Sequence, residues 1–202
     1  MHFNHYGGSA ARLATALVNQ CRETAGHPRT DDTDELARIL AAHQIEHGRL
    51  SRRDADDLAA WAAHLDRAYG EPDLDRQVAL VNELLDLGAS RPFVSRHGGR
   101  PPHLHYFPED PDVVTRVRAQ TAAGIAHVVC DAAGHRLGRC GREGCGAVFL
   151  DTSRNGRRRF CSLRCANRVR VADHRARATS RVHVSRAAAP PARRSAPPGP
   201  GR

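Results

Sequence analysis

The strongest constraint on this chain is a set of four cysteines in two short-spaced pairs. Cys140 and Cys145 form a C-x4-C pair, Cys161 and Cys165 form a C-x3-C pair, and 15 residues separate the two. Zinc takes four tetrahedral ligands, and two such pairs allow two turns to face each other across one ion. The spacing therefore predicts one structural Zn2+ held by Cys140, Cys145, Cys161 and Cys165, with a redox pair or chance clustering as the alternatives. Four thiolates leave no open coordination position, which excludes catalytic zinc. A disulfide framework suits a small secreted chain rather than one of 202 residues whose cysteines cluster in this way. Cys21 and Cys130 fall on apolar helix faces or at a helix end and are expected to be small buried hydrophobes.

The segment between the pairs, "GAVFLDTSRNGRRRF", has its own pattern. Asn155-Gly156 is a favoured two-residue turn, with alternating apolar residues before it and "RRRF" after it, so a β-hairpin is expected across it. Ser162 can then cap a helix to about Ala178, with the second pair in its first turn. A knuckle, a hairpin and a helix that carries the second ligand pair make a treble-clef type of arrangement. The helix N-terminus favours thiolate over thiol, because its free N–H groups stabilise anionic sulfur. At about 100° per residue, Cys161, Cys165, Val169, Ala172 and Ala176 share an inward face. Arg164, Arg168 and Arg175 flank it, and Arg170, His174, Arg177 and Arg181 point away.

Four thiolates on Zn2+ carry a net charge of −2, so the flanking guanidinium groups, Arg168 among them, are expected to contact sulfur or Asp151. The outer residues Asn167, Arg170, His174, Arg177 and Arg181, with Arg154, Arg157 and Arg158 of the hairpin, are candidates for nucleic-acid contact. A solvated helix face is the plainer alternative for them.

Charge distribution supports the first reading. Every basic residue other than histidine is arginine. Residues 1–138 hold 15 Arg against 19 Asp plus Glu, a net of −4, whereas residues 139–186 hold 13 Arg against 3 acids, a net of +10. A basic third on a mildly acidic body is the asymmetry of a nucleic-acid-binding module with a separate partner domain.

Upstream, apolar residues recur at helical spacing. Ser9 is expected to cap a helix to about Thr24 with Leu13, Leu17, Val18 and Cys21 inward, and a second helix runs from about Thr33 to His43. Ser51 and Asp54 resemble a capping box before Leu58, Trp61, Leu65 and Ala68. A fourth helix over about 75–87 buries Val78, Val81, Leu84 and Leu85. "RPFVSR" and "HLHYF" predict a short β pair, and a fifth helix covers about 112–129. "DAAGHRLGR" reads as a hinge into the cysteine module, and "AAAPPARRSAPPGPGR" as a disordered basic tail. The fold class is thus mainly α: a helical domain with a short β pair over 1–135, a four-cysteine zinc finger over 136–180, and a tail over 181–202. No apolar run reaches 18 residues, and the N-terminus has no basic leader followed by one, which predicts a soluble, cytoplasmic protein without a membrane partner.

The cysteine region resembles the CGNR zinc-finger family of bacteria. The resemblance lies in Cys140 and Cys145, then Phe149, Asp151, Ser153, Arg154 and Asn155, then Arg158, Arg159, Phe160, Cys161 and Cys165, then Asn167, Arg168, Arg170, His174, Arg175 and Arg177. It departs at the naming motif, where Ala166 gives "CANR" in place of the family's glycine. "ALVNQ" at 16–20, "TDELARIL" and "LVNELL" are similar, more weakly, to segments of the helical ABATE domain that precedes the finger in that family. The resemblance implies a zinc-dependent regulator of transcription induced by stress.

DNA binding is the first expectation, with dimerisation or further contacts enlarging the small footprint of one finger. RNA or ribosome binding is the second, and only 4% aromatic residues favour a duplex over a stacked single strand. A protein-interaction adaptor is the third. An enzyme is not expected. His103 and His105 share a strand face, yet no carboxylate is spaced to join them, and neither a nucleophile with a base nor a phosphate loop is present.

Overall fold

The computed structural model describes residues 5–22, 33–88, 92–96, 101–106, 110–132 and 135–187. Six helices and two strand pairs follow in the order α1 (His5–Cys21), α2 (Thr33–Ala42), α3 (Arg52–Asp66), α4 (Leu74–Gly88), β1 (Phe93–Ser95), β2 (His103–His105), α5 (Val113–Ala132), β3 (Leu137–Arg139), β4 (Val148–Leu150) and α6 (Leu163–Ala187). The mainly helical class expected from the sequence is what forms.

Helix α1 lies at the centre, packed against α5, α3, α2 and β4. It meets α5 closely enough that a Cβ on Gly124 would lie 2.6 Å from the Cβ of Ala10. Leu13 and Leu17 turn toward Leu36, Leu40, Leu58 and Val117, and Val18 turns toward Trp61, Leu65, Ile125 and Val128. Ser51 and Asp54 close the capping box, with Asp54 N–H donating to Ser51 Oγ at 3.2 Å and Ser51 N–H to Asp54 Oδ2 at 2.8 Å. Trp61 is buried because its Nε1–H finds Thr121 Oγ1 at 2.8 Å.

Several expectations change. Ser9 lies inside α1, which begins a turn earlier. In α4, Val81 and Leu84 are buried as expected and Gln77 joins them, its Nε2 donating to the Ala68 carbonyl at 2.9 Å, while Val78 is 42% exposed. A satisfied amide displaces an aliphatic residue from the core because the chain turn after α3 offers it a carbonyl. Cys130 is exposed rather than buried, and Cys21 is half-buried. His105 stacks on its cross-strand partner Phe93, with ring centroids 5.4 Å apart, and the His103 side chain lies outside the described residues. Helix α6 continues through Ala187, so residues 181–187 are helical, and the rest of the expected tail lies outside the described residues.

The largest change concerns the junction between body and finger. Leu137–Arg139, expected in a hinge, is strand β3, and it pairs with β4 in the register Leu137↔Leu150, Gly138↔Phe149 and Arg139↔Val148. Leu137, Val148 and Leu150 belong to the same buried cluster as Val18, Leu65 and Val128. Packing is therefore continuous across residue 135. Among the described residues, no helix is long and apolar enough to cross a membrane.

Candidate metal centre

The β3–β4 hairpin carries the first cysteine pair in its loop. Cys140 N–H donates to the Ala147 carbonyl at 2.8 Å and Cys145 N–H to Arg142 O at 3.1 Å, which folds the loop into a knuckle. The aromatic ring of Phe149 lies over its cross-strand partner Gly138, where a Cβ would stand 2.4 Å from ring carbon. Ser162 caps α6, its Oγ accepting from Cys165 N–H at 3.3 Å, and so places Cys161 just before the helix and Cys165 one turn in.

The four sulfurs lie within 4.8 Å of one another. The Cys145–Cys161 and Cys145–Cys165 separations are 3.7 Å, and Cys161–Cys165 is 3.5 Å. Tetrahedral zinc with Zn–S of about 2.3 Å requires S···S edges of about 3.8 Å, so the cluster has the dimensions of one ion's ligand shell. Cys140 and Cys165 are buried and the other two are half-buried. Residues 136–178 match the family model described as CGNR zinc finger. This part of the chain is a CGNR zinc finger. It holds one structural zinc ion on Cys140, Cys145, Cys161 and Cys165. No curated protein matches the chain.

The finger's thiols do not share their protons evenly. The Arg142 guanidinium, donating from Nε to Cys165 Sγ at 3.3 Å, acts with the Ser162 hydroxyl to hold the Cys165 thiol down to about 6. Burial first, and then the neighbouring thiols, push Cys161 up to about 12. Zinc binds thiolate, so loading displaces the remaining protons.

The charge partner of sulfur is thus Arg142, inside the first knuckle, rather than Arg164 or Arg168 on the helix. Arg168 is exposed, and it lines an open face of α6 with Arg164, Asn167, Val171, Ala172 and Arg175. The reason is the set of the helix: Cys165 and Ala166 are both buried, which rotates the expected flank toward solvent.

Asp151 is buried, as a residue with a structural task should be, yet its partners come from the chain around it. It accepts N–H bonds from Ser153 and Arg158, both at 2.8 Å, and lies 4.0 Å from the Arg136 guanidinium. Burial alone would raise its carboxyl, but the bonds from Ser153 and Arg158 and the charge of Arg136 outweigh it and hold the group lower than usual. Arg136 also donates to the Asp151 carbonyl at 3.1 Å and to that of Ser153. Together these bonds fold residues 151–158 into a loop, and the hairpin expected across Asn155-Gly156 does not form. Gly156 alone of that pair has positive φ, at +60°, and a type I′ turn needs it at both positions.

Of the candidate nucleic-acid residues, Arg158 is turned back on the finger. It stacks on Phe149 at 4.7 Å, donates from Nε to the Phe160 carbonyl at 2.8 Å, and bonds the Cys161 carbonyl. Arg154 and Arg157 are exposed on the loop, and Asn167, Arg170, His174 and Arg177 are exposed on α6. The Arg181 side chain lies outside the described residues. Arg142 was recognisable only as a cation between two ligands. Asn19, Arg22 and Arg139, which attach the knuckle to the body, were not legible in any local pattern.

Proposed function

We propose that this protein is a zinc-dependent, DNA-binding regulator of transcription, with the helical body serving ligand sensing or dimerisation. The observation that carries the reading is α6. At about 1.5 Å per residue its 25 residues extend about 37 Å, and every side chain from Val171 to Arg177 is exposed. A helix whose described side chains bury little beyond its first turns draws little stability there from packing, so a polyanion along it supplies the missing partner. Arg164, Asn167, Arg168, Val171 and Arg175 form one stripe that fits a B-form major groove, where arginine and asparagine can meet base edges. Arg154 and Arg157 add phosphate contacts from the loop. An A-form major groove is too narrow for such a helix, which favours DNA over duplex RNA.

The test is a selection from random duplexes with the full zinc-loaded chain, followed by a salt titration on the enriched sequence. Affinity should fall steeply with salt, and Arg164→Ala and Arg175→Ala should each reduce the logarithmic slope by about one. Salt-insensitive association would favour a protein partner. Preference for structured RNA over every duplex would favour the ribosome or an RNA. Either result would end the DNA reading.

A further inference from the structure

The two halves of the zinc site are attached to different parts of the molecule. On one side of Cys140, Arg139 donates from Nη2 to the Asp66 carbonyl at 2.9 Å, to Asp66 Oδ1 at 3.2 Å and to the Tyr69 carbonyl at 3.2 Å, all on the end of α3 and the turn after it. On the far side of Cys145, Gly146 stands against Arg22 at the end of α1, where a Cβ would lie 2.5 Å from Arg22 Nη2. Arg22 itself pairs with Asp66 at 3.5 Å. Two residues further on, the Asn19 side chain clamps β4 with both ends of its amide: Nδ2 donates to the Val148 carbonyl at 3.0 Å, and Val148 N–H donates to Oδ1 at 2.9 Å. The Leu137 carbonyl accepts from Gly70 N–H at 2.8 Å. Body contacts thus bracket the first pair at positions 137, 139, 146 and 148.

The second pair is held differently. Its partners belong to the finger: from the knuckle, Gly141 N–H on the Arg159 carbonyl at 2.8 Å and Arg142 on Cys165; from β4 and the residue after it, Phe149 under Arg158 and Asp151 Oδ2 accepting from Arg158 N–H at 2.8 Å. Small zinc fingers are unfolded without metal because neither half of the site exists beforehand. Here the flanks of the Cys140–Cys145 half are bonded to the helical core.

We propose that the zinc ion is a releasable joint: the body holds the Cys140–Cys145 knuckle pre-folded through Asn19, Arg22 and Arg139, and loss of metal frees the Cys161–Cys165 half with α6 alone. Asn19 is on this account a positioning residue of the metal site, acting through β4. The structural boundary of the chain runs through the zinc ion and not ahead of it. Metal occupancy then decides whether the arginine-rich helix is fixed to the body or swings from it, whatever that helix binds. By linkage, whatever stiffens the knuckle must also tighten zinc binding.

The experiment is amide hydrogen exchange on the full chain, zinc-loaded and after chelation, for the natural sequence and for Asn19→Ala. In the natural chain chelation should accelerate exchange in residues 159–170 by tenfold or more, a change of about 1.4 kcal/mol in local opening, and leave the Val148 N–H and the amides of α1 protected. In Asn19→Ala the same treatment should also expose β3 and β4, and zinc should be lost to a competing chelator about fivefold or more readily. Cobalt substituted into that variant should still give a tetrahedral four-thiolate spectrum, which separates a loosened site from a broken one. If Asn19→Ala fails to fold, Arg139→Met replaces it. Cooperative exposure of 137–150 and 159–170 on chelation of the natural chain would overturn the proposal, as would protection of both. So would an Asn19→Ala chain that behaves like the natural one.

Discussion

At the scale of single residues, the finger is organised by charges that never leave it. Arg142 keeps Cys165 ionised at pH values where an ordinary thiol, near 8.5, is protonated. A lowered thiol pKa leaves zinc less proton to displace, an advantage that is absent above the ordinary thiol pKa and grows as pH falls toward about 6. Arg142→Ala should therefore move zinc release to higher pH and weaken retention about tenfold near neutrality, the scale of lost partners around metal ligands. A colorimetric chelator titration between pH 5 and pH 8 checks this, and an unshifted release curve would deny Arg142 its role. Asp151 acts on the fold instead. Its replacement by alanine leaves the Ser153 and Arg158 N–H groups without their acceptor and the Arg136 guanidinium without its countercharge, and should cost about 1–3 kcal/mol in urea unfolding. The sulfur ligands were readable from spacing alone. Asp151 is readable as important, but the sequence points to the helix for its partners, because side-chain direction depends on how α6 is seated and not on its sequence.

Among elements, the contrast is between α1 and α6. Helix α1 buries residues on nearly every turn and passes within contact of α5 at Gly124. Gly124→Ala would place a methyl 2.6 Å from Ala10 Cβ and 2.7 Å from the Ala11 nitrogen, and a helix cannot yield as a flexible side chain can. A loss of about 1–3 kcal/mol is expected from such overpacking, measurable as a lowered Tm. Helix α6 has few such contacts, so Arg170→Ala and Arg177→Ala should change Tm little while reducing polyanion binding. Element type and position were legible because hydrophobic periodicity is a local property. Strand pairing was not: β4 was expected to pair forward across Asn155-Gly156 and pairs backward with β3. The turn propensity of Asn-Gly was outweighed by burial of Leu137 and Leu150 and by the carboxylate of Asp151, which draws the following loop inward.

For the whole molecule, the shared core makes the hairpin part of the body. Leu150→Ala should cost about 2–5 kcal/mol and lower the helical transition in circular dichroism, although residue 150 lies in the finger. A transition seen only in the finger would show two separate cores. The basic C-terminal third and the acidic body remain distinct in charge while being continuous in packing, a combination that composition could not separate. Taken by itself, the sequence determined the metal, its four ligands, the helices and the exposed arginines of α6, because sulfur chemistry, helical period and charge are all written within a few residues. Only the tertiary structure decided which strand β4 joins, which guanidinium meets sulfur, and that Asn19 grips Val148 across 129 positions. Those contacts arise from surfaces that exist only once the core has closed, so no local pattern could carry them.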